Sequence, residues 1–395
     1  MRARSAGEVF LTFLKLGLTS FGGPIAHLGY FRDECVLRRR WIEEAEYADL
    51  VALCQFLPGP ASSQVGFSLG LMRAGFPGGL AAWLGFTLPS AALLTGFAFG
   101  MGVLRGPAAA GMLHGLELVA LAVVAQAVWG MARTLCPDRQ RAAIACVAAL
   151  MMLMRPTALD QIIAIVIGGA AGAWLCRTAP LGSAPPLALP VSRRQGVLAV
   201  SVYLILLAGL PLLRTVSASQ GLALLDACYR SGALVFGGGH VVLPLLRTAF
   251  VAPGWVTDRG FLAGYGAAQA VPGPLFTFAA YLGAVGHAAP NGLAGAAIGL
   301  VGIFLPGLLI LVGVLPFWDA QRRRTPIRAA LRGINAAVVG LLGAALYHPL
   351  WTTSVQSTGD VALALAALAL LSVWRTPPVI VVLLSALAGS ALQWA

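Results

Sequence analysis

Two copies of one uncommon pattern divide this chain, and each copy interrupts apolar sequence with glycine and proline. Phe21-Gly22-Gly23 returns as Phe236-Gly237-Gly238, and Pro58-Gly59-Pro60 returns as Pro272-Gly273-Pro274. Further matches in the same order are Lys15 with Arg230, Arg32 with Arg247, Trp41 with Trp255, Gln55 with Gln269, and Leu88-Pro89 with Leu305-Pro306. Because the offset stays near 215 residues, we infer that the chain folds as two homologous halves.

Composition places the chain among membrane proteins. Hydrophobic residues make up 59% of its 395 residues and charged residues 10%, whereas soluble domains carry about 25% charged residues. The net charge of +12 comes from arginines in short loops between apolar runs. This distribution is typical of the cytoplasmic loops of polytopic membrane proteins. We therefore expect the lipid bilayer as a partner and no nucleic acid.

The lengths of the apolar runs predict an all-α membrane fold with broken helices. Runs near 79–104, 111–132 and 292–317 exceed the roughly 20 residues that a helix needs to cross a bilayer. The pieces beside each Gly-Gly or Pro-Gly-Pro break are shorter. They form either re-entrant hairpins or spans broken midway, and both put irregular backbone where it must line protein or a wet cavity. We expect roughly 10–13 membrane segments.

Loop charge predicts the orientation of the halves. The arginine triplet at 38–40 has no basic equivalent at 252–254, whereas the triplet at 322–324 corresponds to a region with only Arg105. Because basic loops stay in the cytoplasm, the halves are expected to be inverted relative to each other. Inverted repeats are a common architecture of secondary transporters.

Domain boundaries follow from where the repeated pattern begins and ends. A stretch rich in proline, alanine and serine at 177–195 is expected to be the linker. We expect a first repeat at 1–141, connecting spans and linker at 142–214, a second, inverted repeat at 215–350, and C-terminal membrane segments at 351–395.

Two cations form the first candidate for chemistry. Lys15, the only lysine, and Arg230 each lie in apolar sequence, six residues before the phenylalanine of a Gly-Gly break. A cation at membrane depth is costly and often functional. Two of them suit a doubly charged oxyanion better than a cation or a neutral solute. The alternative is that both side chains extend to the membrane interface.

The breaks themselves form the second candidate. Helix ends near the bilayer midplane leave backbone N–H groups unpaired, and their positive dipole ends attract anions. The alternative is that glycine and proline only kink helices or allow close packing. The candidate substrate-binding residues at the breaks are Phe21, Gly22, Gly23, Gly237, Gly238, Pro58, Gly59, Pro60, Pro272, Gly273 and Pro274.

Polar side chains beside the breaks complete the candidate set. Hydroxyl and amide groups can replace the hydration shell of an oxyanion, although interhelical hydrogen bonding is the alternative role. A carboxylate or imidazole near a cation can carry a coupling proton, or can be a structural partner or packing residue. The further binding candidates are Gln55, Ser62, Gln269 and Thr277, and the proton-coupling candidates are Glu117, Asp226 and His240.

Several kinds of site are missing from the sequence. The six cysteines are scattered, without the clustered spacing of a zinc site or a disulfide framework. Nucleotide-binding loops and the common hydrolase motifs are also missing. We therefore expect a transporter without cofactor or metal. An intramembrane enzyme or a lipid scramblase remains the alternative from another class.

The combined motifs resemble the chromate ion transporter (CHR) superfamily in its long, two-domain form. The residues that carry the resemblance are Phe21-Gly22-Gly23-Pro24, Arg38-Arg39-Arg40-Trp41, Gln55-Phe56-Leu57-Pro58-Gly59-Pro60, Phe236-Gly237-Gly238-Gly239-His240 and Gln269-Ala270-Val271-Pro272-Gly273-Pro274. The resemblance implies a multi-pass inner-membrane carrier that exports chromate, gives chromate resistance and uses the proton gradient or membrane potential. Some relatives are associated with sulfate, so transport of sulfate or another oxyanion, by uptake or exchange, stays open, as does a homodimer.

Overall fold

The protein is helical throughout its described parts. The computed structural model describes residues 5–101, 106–155, 157–176, 190–236, 239–318 and 325–392. The structure is 85% helical, and these residues contain no strand. This agrees with the apolar runs of the sequence, because a helix pairs every backbone group within its own segment and can therefore face lipid.

The described residues of the first half contain seven α-helices. They are α1 (Ala6–Thr19), α2 (Gly23–Phe31), α3 (Glu44–Phe56), α4 (Ala61–Met101), α5 (Pro107–Leu135), α6 (Arg139–Met154) and α7 (Ala158–Leu175). Side-chain caps start several of them: Ser5 Oγ accepts the N–H of Glu8, and the Asp138 carboxylate accepts that of Arg141. Such caps satisfy donors that a helix start leaves unpaired.

In the described part of the connection between the halves lies α8 (Arg193–Val216). The second half contains α9 (Gln220–Ala233), α10 (Val242–Phe250), α11 (Asp258–Ala270), α12 (Phe278–Val285), α13 (Gly292–Val314), α14 (Thr325–Ala345), α15 (Thr358–Ser372) and α16 (Pro378–Leu392). Short 3-10 turns precede α10 and α12, and π-helical segments follow α2 and α14. The order of helices thus repeats that of the first half.

Helices end where the sequence predicts breaks. In the first half α1 ends at Thr19 and α3 at Phe56, and in the second half α9 ends at Ala233 and α11 at Ala270. Proline lacks an N–H group and its ring clashes with the preceding turn, so neither Pro-Gly-Pro segment can continue a helix. Within α4, Ala74 and Gly75 leave the helical conformation, at the place where α12 and α13 are separate.

Five described helical segments are long and apolar enough to cross a membrane. They are Ala61–Met101, Pro107–Leu135, Arg193–Val216, Gly292–Phe317 and Arg328–Ser354, and shorter apolar helices include Leu159–Leu175, Thr358–Ser372 and Pro378–Ala391. The predicted all-α polytopic membrane class is therefore confirmed.

The last two helices of each half pack on the other half. α7 packs along α14, and α16 packs along α5. Glycines allow these close approaches, because a Cβ on Gly333 would meet Gly172 and a Cβ on Gly389 would meet Gly115. Since Gly115 and Gly333 are equivalent in the repeat, the same contact occurs twice with the halves exchanged. A two-fold axis between the halves produces this kind of exchange.

The strongest exchange of this kind is at the Pro-Gly-Pro segments. Gly59 donates its N–H to the Val235 carbonyl at 2.8 Å, and Gly273 donates its N–H to the Ser20 carbonyl at 2.9 Å. Ser20 and Val235 are the residues directly before the two Phe-Gly-Gly breaks. Each half therefore fixes the Gly-Gly break of the other through its own central glycine.

Both central glycines are in conformations and spaces that exclude a side chain. Gly59 has φ +113° and Gly273 has φ +99°. A Cβ on Gly59 would lie 2.8 Å from Gly307 Cα, and a Cβ on Gly273 would lie 3.0 Å from Ser90 Oγ. Ser90 and Gly307 both directly follow the matched Leu-Pro pair, so this contact is also exchanged between the halves.

Substituting either central glycine should destabilise the protein. Gly59→Ala and Gly273→Ala each impose a positive-φ cost of about 1–2 kcal/mol, and Gly59→Ala also forces two backbones apart. We expect both to lower the Tm of the detergent-solubilised protein. Gly130→Ala is the matched control, because Gly130 lies in α5 with open space at its Cβ. A Tm unchanged in both variants would show that the contacts of Gly59 and Gly273 with the opposite half do not hold the halves together.

Candidate anion site

The residues that directly follow the two Gly-Gly breaks, Pro24 and Gly239, contact each other. A Cβ on Gly239, which directly follows Gly237-Gly238, would lie 3.3 Å from Cγ of Pro24, which directly follows Gly22-Gly23. Gly237 and Gly238 lie outside the described residues. The segments that follow the equivalent breaks of the two halves therefore lie side by side rather than at separate places on the protein.

The first break leaves helix donors open. Gly22 has φ +98° and is the N-cap residue of α2, without a side-chain hydrogen bond to the first turn. Phe21 and Gly23 are half-buried and Gly22 is exposed. Free N–H groups at a helix start carry partial positive charge and bind anions.

A buried histidine lies on α2, shortly after the first Gly-Gly break. His27, which is 1% exposed, places Nδ1 3.4 Å from Ser62 Oγ and packs edge-on against the Phe86 ring. Ser62 is one of the predicted binding residues, and the structure brings it to the break. From the sequence, His27 is interpreted as a packing histidine rather than a pH sensor, and its second-half equivalent is Val242.

Three buried hydroxyl groups on the converging segments have no hydrogen-bond partner within the described protein. They belong to Ser20, Ser63 and Thr87. Leaving such a group unpaired costs about 1–3 kcal/mol. Ser20 precedes the Gly-Gly break, Ser63 begins α4, and Thr87 follows the Phe86 that contacts His27. These hydroxyls are available donors for an oxyanion or for water.

Gln64 braces the first Pro-Gly-Pro segment. Its side chain is fully buried, and Nε2 donates to the Pro58 carbonyl at 2.9 Å and to the Gly307 carbonyl at 2.8 Å. It thereby ties the segment that contains Pro58, Gly59 and Pro60 to α13 of the other half. Repeat matching missed it because its second-half equivalent is Phe278.

Side chains in and around the second Pro-Gly-Pro segment form hydrogen bonds within their own half. Thr277 Oγ1 donates to the Pro274 carbonyl at 2.7 Å. His240 Nδ1 lies 2.7 Å from the Tyr265 hydroxyl, and Gln269 Nε2 lies 3.5 Å from the Tyr265 carbonyl oxygen. Pro272, Gly273 and Pro274 are buried, whereas the first-half equivalent of Gln269, Gln55, is exposed.

Lys15 lies at the edge of a cationic cluster around one carboxylate. Its side chain is 59% exposed, and Nζ is 3.9 Å from Glu34 Oε2. Glu34 also accepts hydrogen bonds from Arg38 at 2.8 Å and from Arg39 at 2.6 Å. Arg39 also contacts Glu8, which pairs with Arg73. Four cations therefore face two carboxylates, and the cluster keeps an excess of positive charge.

Arg230 lies in a similar but smaller cluster. Its guanidinium donates to Asp226 Oδ2 at 2.7 Å, and Arg214 donates to the same oxygen at 2.8 Å. Asp226 is fully buried, and its Oδ1 and the Nε of Arg230 have no partner within the described protein. Two cations therefore share one carboxylate. The predicted cations thus each have a counter-ion, and each counter-ion is outnumbered.

Glu117, the third proton-coupling candidate, lies on α5, away from the Pro-Gly-Pro segments. Its Oε2 is 3.6 Å from His114 Nδ1, and His114 Nε2 is 2.7 Å from Asp360 Oδ1. In the part of the chain that the structure describes, no group of three or more His, Cys, Asp and Glu side chains is arranged to hold a metal ion.

Comparison with known proteins gives full-length relatives. A chromate transport protein from Pseudomonas aeruginosa is 31% identical over 97% of this chain and 91% of its own length. A probable chromate transport protein from Synechococcus elongatus is 27% identical over 98% of this chain and 95% of its own length. A chromate transport protein from Cupriavidus metallidurans is 26% identical over 98% and 91% of the two chains. No solved structure matches the chain.

The family comparison also finds the repeat. The chromate transporter family model matches twice, at residues 7–173 and 222–390. Each match runs past the boundaries predicted at 141 and 350 and includes two further helices, α6–α7 or α15–α16. We propose to extend the repeats accordingly, because these helix pairs pack on the other half in the same exchanged way. With most of the chain covered by both matches, this protein belongs to the chromate transporter family.

Proposed function

We propose that this protein is a secondary transporter that exports chromate across the inner membrane, binding the dianion between its two halves. The observation that supports this most directly is the contact between Pro24 and Gly239, the residues that directly follow the two Gly-Gly breaks. Lys15 and Arg230 precede these breaks at equivalent places. The binding residues are those predicted at the breaks, together with His27 and the unpaired hydroxyls of Ser20, Ser63 and Thr87.

Charge favours a doubly charged anion at this place. Glu34 is shared by Lys15 and two arginines, and Asp226 is shared by Arg214 and Arg230. Positive charge therefore exceeds negative charge in both clusters. A dianion that reaches Arg230 competes with Asp226 for the same guanidinium, so binding exchanges an internal ion pair for one with the substrate.

The membrane potential alone can drive export of such an anion. Moving one elementary charge through 100 mV is worth about 2.3 kcal/mol, so a dianion gains about 4.6 kcal/mol when it leaves a negative interior. This corresponds to a concentration ratio of roughly a thousandfold. Proton coupling through Asp226, Glu117 or His240 adds to this or modulates it. Access alternates as the two halves rock about the contacts made by Gly59 and Gly273.

Sulfate, or another oxyanion, is the alternative substrate within transport, and uptake is the alternative direction. Sulfate has the same shape and charge as chromate, and the groups at the breaks recognise both features without reading the central atom. Uptake of a dianion against an inside-negative potential requires co-transported cations, so the two directions predict opposite responses to the potential.

Reconstituted protein should carry chromate in response to an imposed potential. In proteoliposomes loaded with chromate, an inside-negative potassium diffusion potential should increase efflux, because the substrate carries two negative charges. Unlabelled sulfate and molybdate added as competitors measure the selectivity. Sulfate flux without chromate flux would support the alternative, and flux of none of these anions would contradict the proposal.

Removing either predicted cation should weaken chromate binding. Lys15→Ala and Arg230→Ala each remove a charge-assisted contact worth about 1.5–3 kcal/mol, so we expect KM to rise about 10- to 100-fold for uptake into everted vesicles. Arg155→Ala is the matched control, because it removes one exposed arginine at the end of α6. Wild-type KM in both site variants would exclude the assigned cations.

Neutralising Asp226 should have the opposite effect. Asp226→Asn keeps the shape of the side chain but removes the charge that competes for Arg214 and Arg230. We therefore expect a lower KM for chromate in the same vesicle assay. Equal protein levels and Tm would serve as controls, since Asp226 is buried. A KM that rises as in Arg230→Ala would instead make Asp226 a positioning residue for the arginines.

A further inference from the structure

A line of three ionisable side chains crosses the contact between α5 and α15, away from the candidate anion site. His114 lies between two carboxylates: its Nε2 is 2.7 Å from Asp360 Oδ1, and its Nδ1 is 3.6 Å from Glu117 Oε2. Glu117 is 2% exposed and Asp360 is 4% exposed. Acidic groups buried to this degree are costly unless they are paired or neutralised.

Local structure fixes the outer member of the line. Asp360 lies in the first turn of α15, where Ser357 caps the helix, and Asp360 Oδ2 accepts the N–H groups of Gln356 and Ser357 at 2.9 and 2.8 Å. These donors favour an ionised carboxylate, and Oδ1 then accepts the Nε2–H of His114. Glu117 is three residues after His114 and so shares its face of α5. Its Oε2 has no hydrogen-bond partner within the described protein.

Counting protons shows what this arrangement lacks. If Nε2 donates to Asp360, the Nδ1 of a neutral imidazole is a lone pair. Nδ1 and an ionised Glu117 Oε2 then face each other with a lone pair each, which is repulsive. The carboxylates of Glu117 and Asp360 also place two negative charges in a buried site. One further proton, on Nδ1 or on Glu117 Oε2, converts this repulsion into attraction. The gap between these two atoms therefore fits a proton.

The surrounding helices supply little compensating charge. The described residues 378–392 of α16 contain no ionisable group. On α11, Asp258 pairs with Arg247, and Arg259 follows it at the start of that helix. On α14, Arg332 has Arg141, Arg328 and Asp138 as charged neighbours. In the π-helical segment after α14, His348 contacts Thr352. The charged groups acting on His114 are Glu117 and Asp360.

The equivalent contact in the other half differs in charge. In the repeat, His114 corresponds to Arg332 on α14, which packs on α6. Arg141 and Arg328 lie beside Arg332, so this contact contains permanently charged cations. Only the contact between α5 and α15 can therefore change its charge near neutral pH. In the predicted inverted arrangement the arginine cluster faces the cytoplasm, so the histidine line faces the opposite side.

We propose that His114, Glu117 and Asp360 form a proton-binding site that holds α15 on α5 and makes transport respond to the pH outside the cell. The transport part rests on the proposed function, whereas proton binding does not. With the proton bound, Asp360, His114 and Glu117 form a continuous hydrogen-bonded line. With the proton lost, two carboxylates repel each other and α15 loosens from α5.

The sign of the pH effect follows from where the proton is held. In the unfolded chain glutamate ionises near pH ~4.3 and histidine near ~6.5, so a folded protein that keeps the proposed proton in the gap between Nδ1 and Oε2 holds one proton more than the unfolded chain above neutral pH. Stability should therefore fall as pH rises, by about tenfold in the folding equilibrium per pH unit for one proton. Glu117→Gln donates an amide N–H to Nδ1 without a titrating proton and should remove this slope.

The test compares the Tm of detergent-solubilised wild type, Glu117→Gln and Asp33→Asn between pH 6 and pH 9. Asp33 is an exposed carboxylate in the π-helical segment after α2, so Asp33→Asn is the matched control. We expect Tm to fall with pH in wild type and Asp33→Asn and to stay nearly level in Glu117→Gln. Equal slopes in all three would overturn the proposal.

Two further measurements separate the possible failures. If Glu117→Gln does not fold, difference infrared spectroscopy of the wild type should show a buried carboxylic acid or imidazolium band that titrates in this range, and absence of such a band overturns the site. Chromate transport at varied external pH tests the functional part. A pH-dependent Tm in a protein that moves no chromate would reject the proposed function while the proton site stands.

Discussion

Two backbone hydrogen bonds hold this architecture together: Gly59 to Val235 and Gly273 to Ser20. Each joins the Pro-Gly-Pro segment of one half to the Gly-Gly break of the other. Broken helices inside a membrane protein expose backbone donors and acceptors that lipid cannot satisfy. Here the halves satisfy part of that demand for each other, and the remaining open groups at Gly22 are left where an anion can use them.

Contacts that occur twice with the halves exchanged are found at the periphery as well as at the Pro-Gly-Pro segments. The contacts of α7 with α14 and of α16 with α5 repeat the central exchange with glycines at both contacts. Charge does not follow the symmetry, because the His114 line and the Arg332 cluster differ at equivalent places.

The repeat let the sequence predict much of the candidate site. Lys15, Arg230 and the glycines were identified because each has a partner about 215 residues away. Gln64 was missed for the same reason, since its equivalent is Phe278 and a residue present in one half only leaves no repeat signal, and His27, whose equivalent is Val242, was interpreted as a packing residue. The counter-ions of the cations were also hidden, because Glu34 approaches Lys15 only after α2 and its π-helical extension fold back beside α1.

The sequence by itself determined the all-α membrane class, the two halves and the positions of the breaks, because hydropathy, proline and glycine act on the local backbone. Tertiary structure decided which groups meet. That Pro24 lies beside Gly239, that Gly59 binds Val235, and that Asp360 reaches His114 across 246 residues depend on how distant helices pack. Packing of this kind depends on shape and volume, which are properties of both surfaces at once and are not written in either segment alone.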